Sequence, residues 1–201
     1  MTSVTGEGGN RGIGVLGGTF DPPHIGHLRA AVMVRHALEL DVVLLVPNGD
    51  PWQKRVRAVT PAPIRLEMAR AAALGVPGLE VSDAEVRREG PSYTVDTVAE
   101  LRAERPDRPV TVILGTDAAA LVPTWERPDE LLAQARLAVV ARPGAPGPVV
   151  LPGADLVHVD LEQLDVSSSR LRADVAAGHP IDVLVAPGVI DVIGRRRLYR
   201  P

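Results

Sequence analysis

Short aliphatic runs alternate along the chain with stretches whose apolar residues recur every three to four positions. The runs cover residues 13–16, 42–46, 79–81, 110–114 and 137–141, with a more polar one at 156–159. They are apolar at consecutive positions rather than at every second one, the pattern of strands buried on both faces of a parallel sheet. After Gly26, Ala30, Ala31, Val34, Ala37 and Leu38 fall on one helical face. Further helices are expected over residues 62–74, 94–104, 129–135, 168–177 and 188–193. Strand alternating with helix predicts an α/β chain: a doubly wound, mostly parallel sheet with helices on both faces. One domain is expected from residue 12 to 201, preceded by a polar, Gly-rich tail over 1–11 that is expected to be disordered.

One gap in the pattern is long. Residues 47–61, PNGDPWQKRVRAVTP, carry no periodic signal, and such loops in compact domains are functional or disordered. Trp52, Lys54, Arg55 and Arg57 suit either an anion-contacting lid or a solvated basic loop. The Pro-rich stretch from Pro143 to Pro152 reads as a surface connection, and no internal repeat is present.

Composition narrows the options. The 201 residues, 45% hydrophobic and 23% charged, suit one sizeable core. No apolar stretch approaches the ~20 residues of a membrane span. The opening MTSVTGEGGNR shows no export or transit pattern. The absence of cysteine excludes disulfides, thiolate zinc sites and cysteine nucleophiles, and makes the cytoplasm the expected compartment. A net charge of −3 argues against a general nucleic-acid binder, so an anionic ligand must be held by a local cluster.

Gly12, Gly14 and Gly17 match G-x-G-x-x-G, the fingerprint of dinucleotide cofactor sites. That motif must follow a strand and open a helix. Here the candidate strand lies inside the match, so the glycines are expected to have another role.

The informative segment is Gly17-Gly-Thr-Phe-Asp-Pro-Pro-His-Ile-Gly-His27. It begins where the first strand ends, the place where open α/β sheets bind ligands. Gly17 and Gly18 allow close backbone approach. His24 and His27 are three residues apart at the start of a helix, where free N–H groups and the helix dipole favour an anion. Either histidine alone would read as a core or surface residue; the pair after a Gly-Gly turn reads as a phosphate site.

This segment resembles the signature of the nucleotidyltransferase superfamily with the H-x-G-H motif. Its second signature, I-S-S-T-x-[IV]-R, is similar to Val166-Ser-Ser-Ser-Arg-Leu-Arg172, about 140 residues further on. The departures are Val for Ile, Ser for Thr and Leu for Ile. Ser167 to Ser169 can cap a helix, and Arg172 can add a forked cationic contact one turn later. By itself that heptad would read as an ordinary capped helix with a surface arginine.

The middle of the chain is more specific. Ser92-Tyr-Thr-Val-Asp-Thr97, Gly115-Thr-Asp117, Trp125 and Arg142-Pro-Gly144 resemble, in this order, the pattern of nicotinate-nucleotide adenylyltransferases. The resemblance runs from about Ile13 to Tyr199. It implies a Rossmann-like fold and adenylyl transfer from ATP, with Mg²⁺, to nicotinate mononucleotide, giving deamido-NAD and pyrophosphate. It also implies that Gly17, Gly18, Thr19, Phe20, His24, His27, Gly115, Asp117, Ser167, Ser168 and Arg172 meet ATP, with the two histidines catalytic. Asn48, Lys54, Tyr93, Thr94, Trp125 and Glu126 would meet the mononucleotide. Of these, Tyr93 and Trp125 would flank the pyridine, and the backbone N–H groups of Thr94 and Glu126 would receive its carboxylate. No dedicated metal cage of side chains is expected. Pro51-Trp-Gln-Lys54 departs from the family's P-P-H-K, which leaves the Lys54 contact the least secure.

Alternatives keep the chemistry and change the substrate. Pantetheine-phosphate adenylyltransferases and glycerol-phosphate-type cytidylyltransferases share the two phosphate motifs but not the Ser-Tyr-Thr and Trp125 segments. A catalytically silent relative that binds nucleotide is the other rival, and the intact histidines, serines and Arg172 argue against it. His36, His158 and His179 have no partner at ligand spacing. Arg195 to Arg197 are expected to favour a helix C-terminus.

Overall fold

The computed structural model describes residues 11–50, 59–140, 148–162 and 164–200. The disordered-tail expectation for 1–10, Lys54 with most of the long loop, and the 142–144 motif lie outside the described residues. Six strands form one sheet: β1 (Ile13–Gly18), β2 (Val42–Pro47), β3 (Leu79–Val81), β4 (Val110–Gly115), β5 (Arg136–Val140) and β6 (Leu156–Val159). Their order is β3-β2-β1-β4-β5-β6 and every pairing is parallel. The order reverses direction between β1 and β4, which opens a crevice at their C-terminal ends.

Among the described residues, eight α-helices connect or follow the strands: α1 (Ile25–Ala37), α2 (Ala62–Ala73), α3 (Ala84–Arg87), α4 (Thr94–Glu104), α5 (Thr116–Ala120), α6 (Pro128–Gln134), α7 (Ser168–Ala176) and α8 (Pro187–Arg196). The consecutive aliphatic residues of the strands serve two cores at once. In β2, Val42, Leu44 and Val46 enter the core shared with α4 and α6, while Val43 and Leu45 enter the one shared with α1. A third cluster joins Met68 and Ala72 of α2 to Leu171 of α7 and Val189, Val192 and Ile193 of α8.

Differences from the sequence expectations are local. Each of β1, β2 and β4 continues into Gly or Pro at its C-terminal end, because ladder hydrogen bonds do not require an apolar side chain. Helix α1 buries Ala31 and Val34, but Ala37 is exposed, so its core face is narrower than the spacing suggests. Helices α3 and α5 and the 3-10 turn at Val122–Thr124 are too short to show a period. Two of the G-x-G-x-x-G glycines have a packing role: a Cβ on Gly12 would lie 2.8 Å from the Pro109 carbonyl oxygen, and one on Gly14 2.7 Å from Val43 and 3.1 Å from Ile113.

Candidate active site

The chain leaves β1 through Gly17 and Gly18. A Cβ on Gly17 would meet nothing within 4 Å, so this exposed backbone faces open space. On Gly18 it would press against the Phe20 ring at 3.1 Å. Phe20 is buried with a left-handed φ of 49°, and turns the chain inward towards α1.

His24 and His27 occupy the N-cap and third position of α1 and cap that helix reciprocally. His27 Nδ1 accepts from the His24 N–H at 3.2 Å, and the His27 N–H donates to the His24 carbonyl at 2.9 Å. The His27 imidazole thus takes the place that Glu occupies in an ordinary capping box. Because Nδ1 of His27 accepts, a neutral ring carries its proton on Nε2, as a donor directed away from the cap. The rings stack at 3.7 Å, and Phe20 meets His27 edge-on at 5.0 Å. A Cβ on Gly26 between them would press on His24 Nδ1 at 3.1 Å and on Val166 at 3.0 Å.

Val166 begins the second motif, which the fold brings against the first. Ser167 caps α7 by accepting from the Arg170 N–H. The Ser168 hydroxyl donates to the Pro22 carbonyl at 2.8 Å, so its proton is directed to the first motif rather than to the cleft. Arg172 donates to the Asp21 carbonyl and to Ser169 Oγ. Around this junction lies a cleft of about 900 Å³, lined by Thr19, His24, His27, Gly115, Ser167, Ser168 and Arg172. Leu16, Ile113, Val140 and Leu161 form its apolar wall. Gly17, Gly18 and Phe20 flank the cleft without lining it, and Asp117 is exposed on the first turn of α5, two residues beyond Gly115.

Tyr93 and Trp125 lie on the opposite face of the sheet. Tyr93 is the N-cap of α4 and Thr94 its first residue. Tyr93 and Trp125 both pack against the core of α4 and α6, whereas the cleft's Leu16, Ile113 and Val140 belong to the α1 core. An Arg127–Asp96 ion pair ties the segment after Trp125 to the first turn of α4. Glu126 is exposed beside it. The Trp125 indole N–H is buried without a hydrogen-bond partner. Asn48 follows β2, its N–H donating to Gly18 at 2.9 Å and its side-chain amide to Glu85 at 2.9 Å.

Sequence reasoning missed three buried side chains. Arg65, 1% exposed on α2, donates to the carbonyls of Thr19, Asn48, Gly49 and Thr60 at 2.6–3.2 Å. Burial lowers its pKa, opposed by Asp21, Tyr199 and Glu85. Asp21 accepts from the Tyr199 hydroxyl at 2.7 Å and from the Thr60 N–H. Burial first, then this bond to Asp21, raises the Tyr199 pKa above the usual phenol range. Glu85 is the third. An arginine amid the apolar positions of α2 was the one available signal. Elsewhere, Arg195 and Arg196 end α8 and pair with Glu67. No group of three His, Cys, Asp or Glu able to hold a metal occurs among the described residues. Nor is any helix among them long and apolar enough to cross a membrane.

The cytidylyltransferase-like family model matches residues 15–174. A nicotinate-nucleotide adenylyltransferase of Streptomyces coelicolor is 44% identical over 186 residues, 92% of this chain and 99% of the relative. One from Acidothermus cellulolyticus is 40% identical over 195 residues, 94% of each chain. The chain belongs to the nicotinate-nucleotide adenylyltransferase family. Its fold is that of a Plasmodium falciparum nicotinic acid mononucleotide adenylyltransferase solved with APC and with NaAD. Those two structures superpose with TM-scores of 0.76 and 0.77 at 18% identity, over 94% of this chain and 97% of theirs. The order of the H-x-G-H segment, the Ser-Tyr-Thr helix start, Trp125 and the serine-rich cap therefore follows the family's Rossmann-like nucleotidyltransferase architecture.

Proposed function

We propose that the protein transfers the adenylyl group of ATP to nicotinate mononucleotide, giving deamido-NAD and pyrophosphate in NAD biosynthesis. One observation carries the reading: the two motifs meet at the bond between Ser168 and Pro22, 146 residues apart in the chain, beside a stacked histidine pair on a cleft of nucleotide size.

The mononucleotide's 5′-phosphate oxygen attacks the α-phosphorus of ATP in line. A new O–P bond forms as the bond to the β-phosphate oxygen breaks, and pyrophosphate leaves with the electron pair. The nucleophile is already an anion, so no side chain has to take a proton or become covalently attached. Catalysis reduces to bringing two anions together and offsetting the charge that develops. His27 Nε2–H and His24 face the triphosphate, with Thr19 adding donors and Gly17 and Gly18 admitting it. The free N–H groups at the start of α7, behind Ser167 and Ser168, hold the leaving pyrophosphate together with Arg172. Gly115 and Asp117 take the adenosine, and Phe20 sets the loop's turn. Mg²⁺ would enter with ATP and help to offset the charge of its phosphates, with no side-chain cage required of the protein.

The acceptor keeps its 5′-phosphate at the cleft and directs its pyridine towards the start of α4. Tyr93 and Trp125 flank the pyridine, the N–H groups of Thr94 and Glu126 receive its carboxylate, and Asn48 and Lys54 meet the rest of the mononucleotide. A carboxylate can accept from both donors, whereas a carboxamide turns its NH₂ onto one. Each N–H left unpaired costs about 1–3 kcal/mol. The expected preference for the acid over the amide is therefore roughly 10²-fold in kcat/KM, at 1.36 kcal/mol per tenfold. A pyrophosphate-release assay with ATP and nicotinate mononucleotide, its amide or phosphopantetheine tests this. Turnover of phosphopantetheine alone overturns the function, and a ratio near one between acid and amide overturns the Thr94 and Glu126 assignment.

A further inference from the structure

Glu85 has a carboxylate that none of the motifs accounts for. It sits on the four-residue helix α3, is 3% exposed, and accepts two side-chain hydrogen bonds. Asn48 Nδ2 donates to Oε2 at 2.9 Å and Thr97 Oγ1 donates to Oε1 at 2.8 Å. These donors come from opposite walls of the mononucleotide site: Asn48 follows β2, and Thr97 lies one turn into the helix that Tyr93 and Thr94 open.

We propose that Glu85 is a positioning residue for the acceptor substrate, fixing the orientation of the Asn48 amide and its distance from the start of α4. This rests on the assignment of Asn48, Tyr93 and Thr94 to the mononucleotide.

A carboxylate offers only acceptors, so each neighbour must present a donor to it. Asn48 therefore keeps its NH₂ towards Glu85 and its Oδ1 turned away, as the atom a ligand hydroxyl or N–H can reach. Thr97 directs its hydroxyl proton to Glu85 and accepts from Arg88 at 3.4 Å. The backbone allows little slack. A Cβ on Gly49 would lie 2.0 Å from the Glu85 carbonyl oxygen, and the Gly49 N–H donates to Ser92 Oγ at 2.9 Å. The end of β2, helix α3 and residues 92–94 thus form one packed unit, with the Glu85 side chain as its polar centre. A group there that could donate as well as accept would let the Asn48 amide turn over and face the ligand with the wrong atoms.

Glu85→Gln makes that change without altering shape. It is expected to raise KM for nicotinate mononucleotide about tenfold, the scale of one mispaired hydrogen bond, with KM for ATP and kcat within about twofold. Asn48→Ala should raise the same KM, and in its background Glu85→Gln should add nothing, since the two act through one contact. A raised mononucleotide KM in Asn48→Ala beside a wild-type value in Glu85→Gln overturns the role of Glu85 alone. Additive effects, or equal losses for both substrates and kcat, overturn it as well. A wild-type KM in Asn48→Ala overturns the assignment of Asn48 to the substrate, and this role with it. If Glu85→Gln loses its cooperative melt, Thr97 carries the test from the other oxygen. Thr97→Ser should then keep the wild-type KM and Thr97→Val should raise it, and no difference between the two overturns the proposal.

Discussion

The two halves of the site are built in two ways. On the cleft side, neighbours in sequence supply most of the geometry: His24 and His27 cap their own helix, Ser167 caps its own, and the glycines sit beside the loop they shape. Two long-range bonds, from Ser168 and Arg172 to the 21–22 backbone, then join finished parts. On the acceptor side, no short segment is sufficient. Asn48, Gly49, Glu85, Ser92, Thr97, Asp96 and Arg127 hold one another from four different stretches of chain. A site built from local caps should lose chemistry when mutated while keeping its fold. One built from buried long-range bonds should lose shape first.

Arg65 is the severest test of that contrast. Its guanidinium holds Thr19, at the cleft, to Asn48, Gly49 and Thr60, at the two ends of the long loop. Arg65→Met keeps much of the volume but strands several buried carbonyls, each costing about 1–3 kcal/mol. A loss of about 3 kcal/mol or more in urea unfolding is expected, with KM for the mononucleotide raised in whatever remains folded. A variant as stable as wild type would show that the acceptor side is not held by this residue.

The next largest effect concerns rate. His27→Ala should lower kcat roughly 10²-fold, the scale of one preorganised donor to developing charge. Its cost in stability should stay near 1 kcal/mol, that of a lost helix cap. Steady-state kinetics alongside thermal melts separate the two quantities. A large loss of stability with near-normal turnover would reverse the comparison.

Tyr199 gives the smallest effect and depends on pH. Its hydroxyl pKa is raised in the folded chain, by burial and then by Asp21, above the unfolded value of about 10. The folded state thus holds this proton more tightly. The stability it contributes is complete below about pH 10 and is lost as pH rises beyond that towards the folded value. Tyr199→Phe should cost about 1 kcal/mol at pH 8, and its gap from wild type should narrow by pH 11. Melting temperatures of both proteins at the two pH values measure it, and a constant gap would remove Tyr199 as the donor to Asp21.

The same contrast explains what was legible beforehand. All six strands and the longer helices followed from aliphatic runs and helical spacing, because burial on two faces leaves a dense apolar signature. The cleft motifs were legible because a helix cap needs its residues at fixed short intervals. Helices α3 and α5 span only four and five residues, below the length at which a period emerges. Arg65 sat in plain view among the apolar positions of α2, yet nothing local names its partners, which lie 5 to 46 residues away. The Ser168 hydroxyl reads as a phosphate contact from sequence; only the folded chain brings the Pro22 carbonyl within reach of it.

By itself, then, the sequence determined the order of strands and helices, the two phosphate motifs and the family to which they point, because those depend on residues close together along the chain. Tertiary structure decided that Tyr93 and Trp125 pack on one core of the sheet and the walls of the histidine cleft on the other. It also decided that Arg65, Glu85, Asp21 and Tyr199 tie distant segments together. The physical reason is that a buried polar side chain must find its partners wherever the fold puts them, and no spacing along the chain records that distance.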